Sequence, residues 1–355
     1  MRTIAITGVG GLIGRRLVAA LASREDIERL IGIDRLAPDG LTAPALVVQS
    51  ADVRDPDLAE GLEGVDALVH LAFQLDPLHD EDHMRSVNVA GTRNVIEAAH
   101  RAGVGHVVYL SSVAAYGAHP DNEVPLSETS PIRGTPGFNY AEHKAEIEQW
   151  LASRGPAIGP DLTVLRVAPV LGPGVQNFIS RWFEAPRVTL VKGHKPPLQF
   201  VHLDDLVAAI VHVLDRHLTG VYNVSAEGWL SLDEVTAIVG RRTVEVPEEV
   251  AFSSAERLWR LGIGEQPPGL IRHIMYPYVV DPSRLIATGW QPRHSNRDAL
   301  DVFAQEHRRY LALAGVRATK GTVALGATAL AGLAGLAAVS GSRRLLRQRR
   351  ARQQR

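Results

Sequence analysis

Cysteine is absent from the 355 residues, which excludes disulfides, thiolate metal sites and a cysteine nucleophile, and accords with a reducing compartment. A strong charge of either sign is also missing, the formal net charge being −1. That balance hides an asymmetry. Residues 343–355 hold seven arginines and no acid; removing those seven from the 38 basic residues leaves 31 against 39 acidic ones, a net −8 on the rest of the chain. An acidic body argues against nucleic-acid binding by the main fold. The opening residues 1–6 enter a strand pattern without a charged-then-apolar leader, so no secretory signal is read there and a cytoplasmic location is expected. No solenoid-type repeat is present. What the chain does have, 45% apolar and 22% charged residues, is the composition of an ordinary globular protein with a full core.

The first half alternates short apolar runs with helical patterns. Strands are predicted at 3–7, 30–34, 45–50, 66–72, 106–112 and 162–167, and helices at 12–22, 84–101 and 137–154. That alternation predicts an α/β fold, a Rossmann-type doubly wound parallel sheet. Beyond about residue 168 prolines and glycines cluster. A strand-helix piece follows at 199–214 and a strand at 220–224, and residues 225–310 read as helices joined by loops. The predicted organisation is a dinucleotide-binding core over 1–168, completed by about 199–224, and a smaller C-terminal substrate-binding lobe mainly over 169–310.

Three motifs carry chemistry. Gly8, Gly11 and Gly14, with Leu12 and Ile13 between the last two, follow the first strand and open the first helix. Such a turn lets a pyrophosphate approach the backbone and the helix N-terminus. Asp34 ends the second strand, where a carboxylate can accept hydrogen bonds from both ribose hydroxyls of an adenosine and would repel a 2′-phosphate. This favours NAD over NADP. Arg35 is the counter-signal, read here as a solvated charge at a strand end. Tyr140 and Lys144 stand four residues apart on one helix face, and Ser112 ends an earlier strand. An ammonium near a phenol favours the phenolate, so Tyr140 is expected to exchange a proton near neutral pH, with Ser112 fixing the substrate oxygen. Each motif alone is common, but together, in this order, they are specific.

Together these residues resemble the extended short-chain dehydrogenase/reductase superfamily, the NAD-dependent epimerases/dehydratases, over roughly residues 1–300. The resemblance implies NAD as cofactor and a small-molecule substrate. It implies that Asp52 and Val53 contact adenine, that Leu71 and Ala72 line the dinucleotide, that Asn88 supports the site, and that Tyr140 and Lys144 touch cofactor as well as substrate. Homodimerisation through the helices near 84–102 and 137–154 is frequent in such families. The expected activity is hydride transfer at a secondary alcohol or ketone. A nucleotide-sugar epimerase is the alternative within the class, and a non-catalytic dinucleotide-binding regulator the alternative outside it. Two departures count against a nucleotide sugar: Pro169 replaces an asparagine, and Leu198 replaces a basic residue. Val113 and Ala114 replace the acidic pair of sugar 4,6-dehydratases. Trp182, Phe183, Trp229, Trp259 and Tyr276 are read as core residues before pocket residues. The run His79–His83 is read as a solvated loop with capping acids before a metal site.

Residues 321–342 carry no charge and are rich in Ala, Gly and Leu. A helix of that length would span roughly 30 Å, and the arginines after it should stay cytoplasmic. A single span cannot leave both those arginines and a leaderless enzyme domain on one side. A surface-lying or re-entrant segment, with arginines on anionic lipid, reconciles the two. Residues 321–355 are therefore a candidate for peripheral membrane association, the alternative being a flexible tail with a basic end.

Overall fold

Aliphatic runs with side chains alternating between two faces build the central sheet. Its strands are β1 (Arg2–Thr7), β2 (Ile27–Asp34), β3 (Leu46–Ser50), β4 (Ala67–His70), β5 (His106–Ser112), β6 (Asp161–Val167) and β7 (Gly220–Val224). The computed structural model describes residues 1–177, 182–185, 187–262, 266–307, 310–313 and 316–319. The seven strands lie in the order β3-β2-β1-β4-β5-β6-β7, and every pairing is parallel. The order reverses between β1 and β4. In an open α/β sheet that reversal leaves a crevice at the carboxyl ends of the strands.

Helices cover both faces. Leu17, Val18 and Leu21 of α1 (Leu12–Leu21) pack with Ile4 and Ile6 of β1 in one apolar cluster. The other face holds Ala5, Leu68 and Val107 against α3 (Gly91–Arg101) and α4 (Asn139–Arg154). Leu206, Ile210 and Val213 of α5 (Leu203–Asp215) join the first cluster. Each such side chain, fully buried, stabilises the fold by roughly 1.5–3 kcal/mol. A third cluster holds Phe183, Val188, Leu190, Leu198, Val235 and Phe303. It surrounds a small parallel pair, Arg187–Val191 with Arg242–Val246, that the sequence pattern did not show.

The helix predicted over 84–101 is not continuous. Helix α2 (Glu81–Arg85) passes through a π-turn, Ser86–Ala90, into α3. Asn88 sits in that turn, fully buried, and holds the loop after β4. Its Oδ1 accepts from the backbone N of Gln74 at 2.7 Å, and its Nδ2 donates to the Gln74 carbonyl at 3.1 Å. π-turns recur where a helix must re-aim a functional side chain.

Helix α4 is fastened to the sheet by a buried ion pair. Arg166 on β6 and Glu148 on α4 are 5% and 6% exposed, and their charges meet at 2.7 Å. Ser111 donates to the same carboxylate at 2.5 Å, while Arg166 also donates to the Tyr116 hydroxyl and the Glu128 carbonyl. With both charges so engaged, the pair tolerates burial; removing one partner strands the other charge. Arg166→Met is expected to cost about 3–5 kcal/mol in urea unfolding, and adding Glu148→Leu to restore part of the loss. A loss in the single variant below one kcal/mol, on the order of a surface pair, would show that the pair is not the fastening.

Candidate active site

The glycine turn puts the end of β1 against the end of β4. Gly8 takes φ +71°, and a Cβ there would meet the Ala72 nitrogen at 2.7 Å. A Cβ on Gly14 would meet the Gly8 carbonyl oxygen at 2.6 Å. These two positions admit glycine alone. No side chain caps α1 at Gly11, so the N–H groups of its first turn are available to an anion. Behind the turn, His70 bridges Thr7 at 2.7 Å and Thr92 at 2.9 Å. Burial holds its pKa down to about 3, with the Lys144 charge adding to the effect, so the bridge is neutral.

Two cavities meet at this turn and share Gly8, Gly11, Leu71 and Phe73. The smaller, about 290 Å³, is lined by Asp34, Arg35, Ala51, Asp52, Val53, Arg54 and Ala72 among others. Asp34 accepts from the backbone N of Gly10 at 2.9 Å and of Arg35 at 2.8 Å. Asp52 holds Arg54 at 2.7 Å, and that hydrogen bond draws its carboxyl down to about 2. The larger, about 480 Å³, is lined by Leu12, Ile13, Gly14, Ser112, Tyr140 and Lys144 among others. Among the predicted site residues, Asn88 reaches neither cavity. It touches the smaller one through Gln74, which lines it, and also meets His143 of α4 at 3.3 Å.

Ser112, Tyr140 and Lys144 come together as their order implied, but their electrostatics differ from expectation. Burial pushes Tyr140 up to about 12, and only a hydrogen bond from Ser112 opposes it. The Lys144 ammonium, 3% exposed, points elsewhere: it donates to the Leu110 carbonyl at 2.7 Å and the Tyr109 hydroxyl at 3.3 Å, and lies 5.9 Å from the Tyr140 ring centroid. Burial pulls its own pKa down to about 7, with Glu148, one turn along α4, working against the fall. Ser112 is a hydrogen-bond partner of the tyrosine, while the described hydrogen bonds of the lysine go to Leu110 and Tyr109. Spacing of four residues placed both side chains on one face but could not say where a long ammonium stem would point.

Three of the cavity residues that escaped the sequence reading carry rings: Phe73, His273 and Tyr278. Phe73 stands 3.6 Å from the Lys144 ammonium, ring centroid to nitrogen, and edge-on to Tyr140. It follows Leu71 and Ala72 directly, so its place was discoverable. His273 and Tyr278 enter from the proline-rich lobe, where no local pattern marks them. The five aromatics weighed earlier lie elsewhere: Phe183 is buried in the lobe core with Trp182 against it, Trp229 is exposed, Trp259 packs on His79, and Tyr276 on His194. Asp80 caps α2, accepting from the His83 backbone N at 2.9 Å. Among the described residues no group of three or more His, Asp or Glu side chains could hold a metal ion. None of the described helices is long and apolar enough to cross a membrane; residues 321–355, the candidate membrane segment, lie outside the described residues.

Comparison with known proteins gives the family and the fold. An uncharacterized protein of Mycobacterium tuberculosis (strain H37Rv) is 27% identical over 313 residues, covering 85% of this chain and 83% of the relative. Sterol demethylase protein B of Methylococcus capsulatus is 31% identical over 229 residues, 61% of this chain and 67% of that protein. Among solved structures, the UDP-glucose 4-epimerase of Thermus thermophilus in complex with NAD superposes with a TM-score of 0.66 at 23% identity, covering 86% of this chain and 99% of that one. DesIV, a dTDP-glucose 4,6-dehydratase from Streptomyces venezuelae with NAD bound, gives 0.66 at 23% identity, covering 86% and 97%. At that identity the two structures speak for the fold alone. Residues 4–225 match the family described as the NAD dependent epimerase/dehydratase family. With that match spanning well over half of the 355 residues, the chain belongs to the NAD dependent epimerase/dehydratase family.

Proposed function

We propose that the protein is an NAD(H)-dependent oxidoreductase of epimerase type, acting on a secondary alcohol or ketone carried by a largely apolar body. One observation carries the substrate class. Among the described lining residues of the larger cavity, Lys144 is the single Lys or Arg, and no Asp or Glu is present. The wall beyond the Ser112–Tyr140 pair includes Leu75, Val113, Val167, Pro169, Val170 and Val175, with the uncharged Gln176, Asn177 and His273 beside them. A nucleotide sugar brings a diphosphate, which calls for cationic donors. Leu198, at the position where a basic residue would serve that purpose, is buried and bridges Leu230. The similarity to sterol demethylase protein B points the same way.

The residues fit a dinucleotide. The uncapped first turn of α1 would hold the pyrophosphate. Asp34 would take the adenosine ribose hydroxyls, Asp52 and Val53 would flank the adenine, and Leu71 and Ala72 would border the path between the cavities. When bound, the nicotinamide supplies the hydride. Tyr140, protonated in the free protein, holds the proton that a substrate oxygen needs as it gains negative charge, and Ser112 orients that oxygen. Lys144 lies beside the same region and would hold the nicotinamide ribose.

Calorimetry on the purified protein should show NADH binding at least about tenfold tighter than NADPH, the margin of one lost or repelled contact. The reverse preference would move the adenosine reading from Asp34 to Arg35 and Arg54. Tyr140→Phe should lower turnover of alicyclic ketones about 10²–10⁴-fold with NADH affinity unchanged. Undiminished turnover would refute the assignment, and turnover of UDP-galactose in place of the ketones would return the substrate class to nucleotide sugars. Lys144 also leaves a signature in stability. Its pKa falls from 10.5 to about 7 on folding. Between those values the unfolded chain keeps a proton that the folded protein has released, so stability from this group rises with pH across that window. The urea midpoint of the wild type should therefore climb relative to Lys144→Met between pH 7 and 9. A constant difference would mean that the ammonium stays charged in the fold.

A further inference from the structure

Among the polar side chains of the larger cavity that the proposed chemistry leaves unused, Ser111 donates to Glu148, Asn177 donates to the Val170 carbonyl and Gln176 is exposed, whereas His273 is buried with neither nitrogen partnered. It stands on the 3-10 segment Pro268–Ile274 of the lobe. That segment is locked to the start of α4: the Gly269 N–H donates to the Gly137 carbonyl at 3.1 Å, and a Cβ on Gly269 would meet the Gly137 carbonyl carbon at 2.4 Å. The lock sets the imidazole edge-on to Phe138 at 5.2 Å and to Tyr278 at 4.8 Å, with Phe138 in turn 5.7 Å from the Tyr140 ring. The ring borders the cavity and is 4% exposed, yet neither Nδ1 nor Nε2 has a hydrogen-bond partner.

A buried imidazole without partners is costly, because both nitrogens have given up water for nothing. Burial also holds its pKa down to about 3, so the ring carries one N–H donor and one bare acceptor nitrogen. Its neighbours on both sides are rings, so no hydrogen bond opposes a small turn towards an incoming oxygen. By contrast the other buried cavity-side polar groups are engaged: Ser112 with Tyr140, and Lys144 with Leu110. A buried polar group left open at a cavity wall is a common mark of a ligand's place.

We propose that His273 is a substrate-binding residue, which takes a second, uncharged oxygen of the substrate, a hydroxyl or carbonyl apart from the one that reacts at Tyr140. The pocket then selects a molecule with an apolar body and two neutral polar groups. This rests on the reading of the larger cavity as the substrate site.

The test uses the NADH-bound protein and androstenedione, a rigid apolar diketone, with its analogue lacking the oxygen on the five-membered ring. Wild type should bind the diketone on the order of tenfold tighter than His273→Phe does, the worth of one buried hydrogen bond. His273→Gln, which keeps a donor and an acceptor, should recover part of that. Removing the probe's second oxygen should cost the wild type a similar factor and His273→Phe little, since the two changes delete one contact. Without ligand, His273→Phe should unfold at the same urea concentration as the wild type or a higher one, because no hydrogen bond is lost. Equal affinities, or no binding to either form, would overturn the proposal. So would a lowered unfolding midpoint with probe affinity unchanged, which would make the imidazole structural. Tyr140-dependent oxidation of NADH by any ketone would still stand in those cases, which separates failure here from failure of the oxidoreductase reading.

Discussion

Lys144 must keep an ammonium almost wholly out of water, and the geometry around it answers that demand. A buried cation needs a full set of acceptors or it neutralises. Here it has a backbone carbonyl at the end of β5, a tyrosine hydroxyl and the face of Phe73. Those partners offer dipoles and a ring quadrupole, but no direct counter-ion. Glu148, the nearest carboxylate in register on α4, is already committed to Arg166. Its charge reaches Lys144 only through space, so the ammonium is poised near neutrality. The helix thus carries a satisfied buried charge and, one turn earlier, a half-satisfied one. The satisfied charge anchors α4 to β6. The half-satisfied one leaves the site a charge whose state an incoming ligand can alter.

The central sheet was legible because parallel strands buried on both faces read as short apolar runs, and those runs are local. Ser112, Tyr140 and Lys144 were legible for a related reason: strand ends and helix spacing fix their positions within a few residues. What escaped depends on contacts distant in sequence. The pairing of Arg187–Val191 with Arg242–Val246 joins segments more than 50 residues apart in the chain, and short five-residue runs do not say which partner they pair with. The π-turn at Ser86–Ala90 coincides with Asn88 gripping the loop around Gln74, a tertiary contact that a helical period cannot show. His273 depends on the meeting of Gly269 with Gly137. Burial raises the Tyr140 pKa, and the Lys144 ammonium donates to Leu110 and Tyr109, because sequence spacing carries no information about which acceptor a four-carbon stem selects.

The division of labour between core and lobe follows the same logic. Residues 4–225, the part that matches the family, contain the glycine turn, the serine, the tyrosine and the lysine. His273 and Tyr278, which close the larger cavity, lie beyond that stretch. A shared redox apparatus under a varying cover is what a fold able to serve many substrates requires. The absence of formal charge from the described wall, Lys144 aside, is a property of this cover in particular.

Asp34 illustrates how recognition and folding can share one atom. The same carboxylate oxygen that would face a ribose hydroxyl accepts the Gly10 N–H, and a Cβ on Gly10 would approach that oxygen to 3.0 Å. Exchange of coenzyme is often imagined as a single replacement at this position. Here such a replacement would also release the tip of the glycine turn, leaving a backbone donor to find water. An evolutionary path towards a phosphorylated dinucleotide would therefore have to rebuild the turn before, or together with, the acid. On the proposed reading of Asp34, a coenzyme preference would in that sense be guarded by the backbone, and drift at Asp34 alone would loosen the turn sooner than it changed specificity.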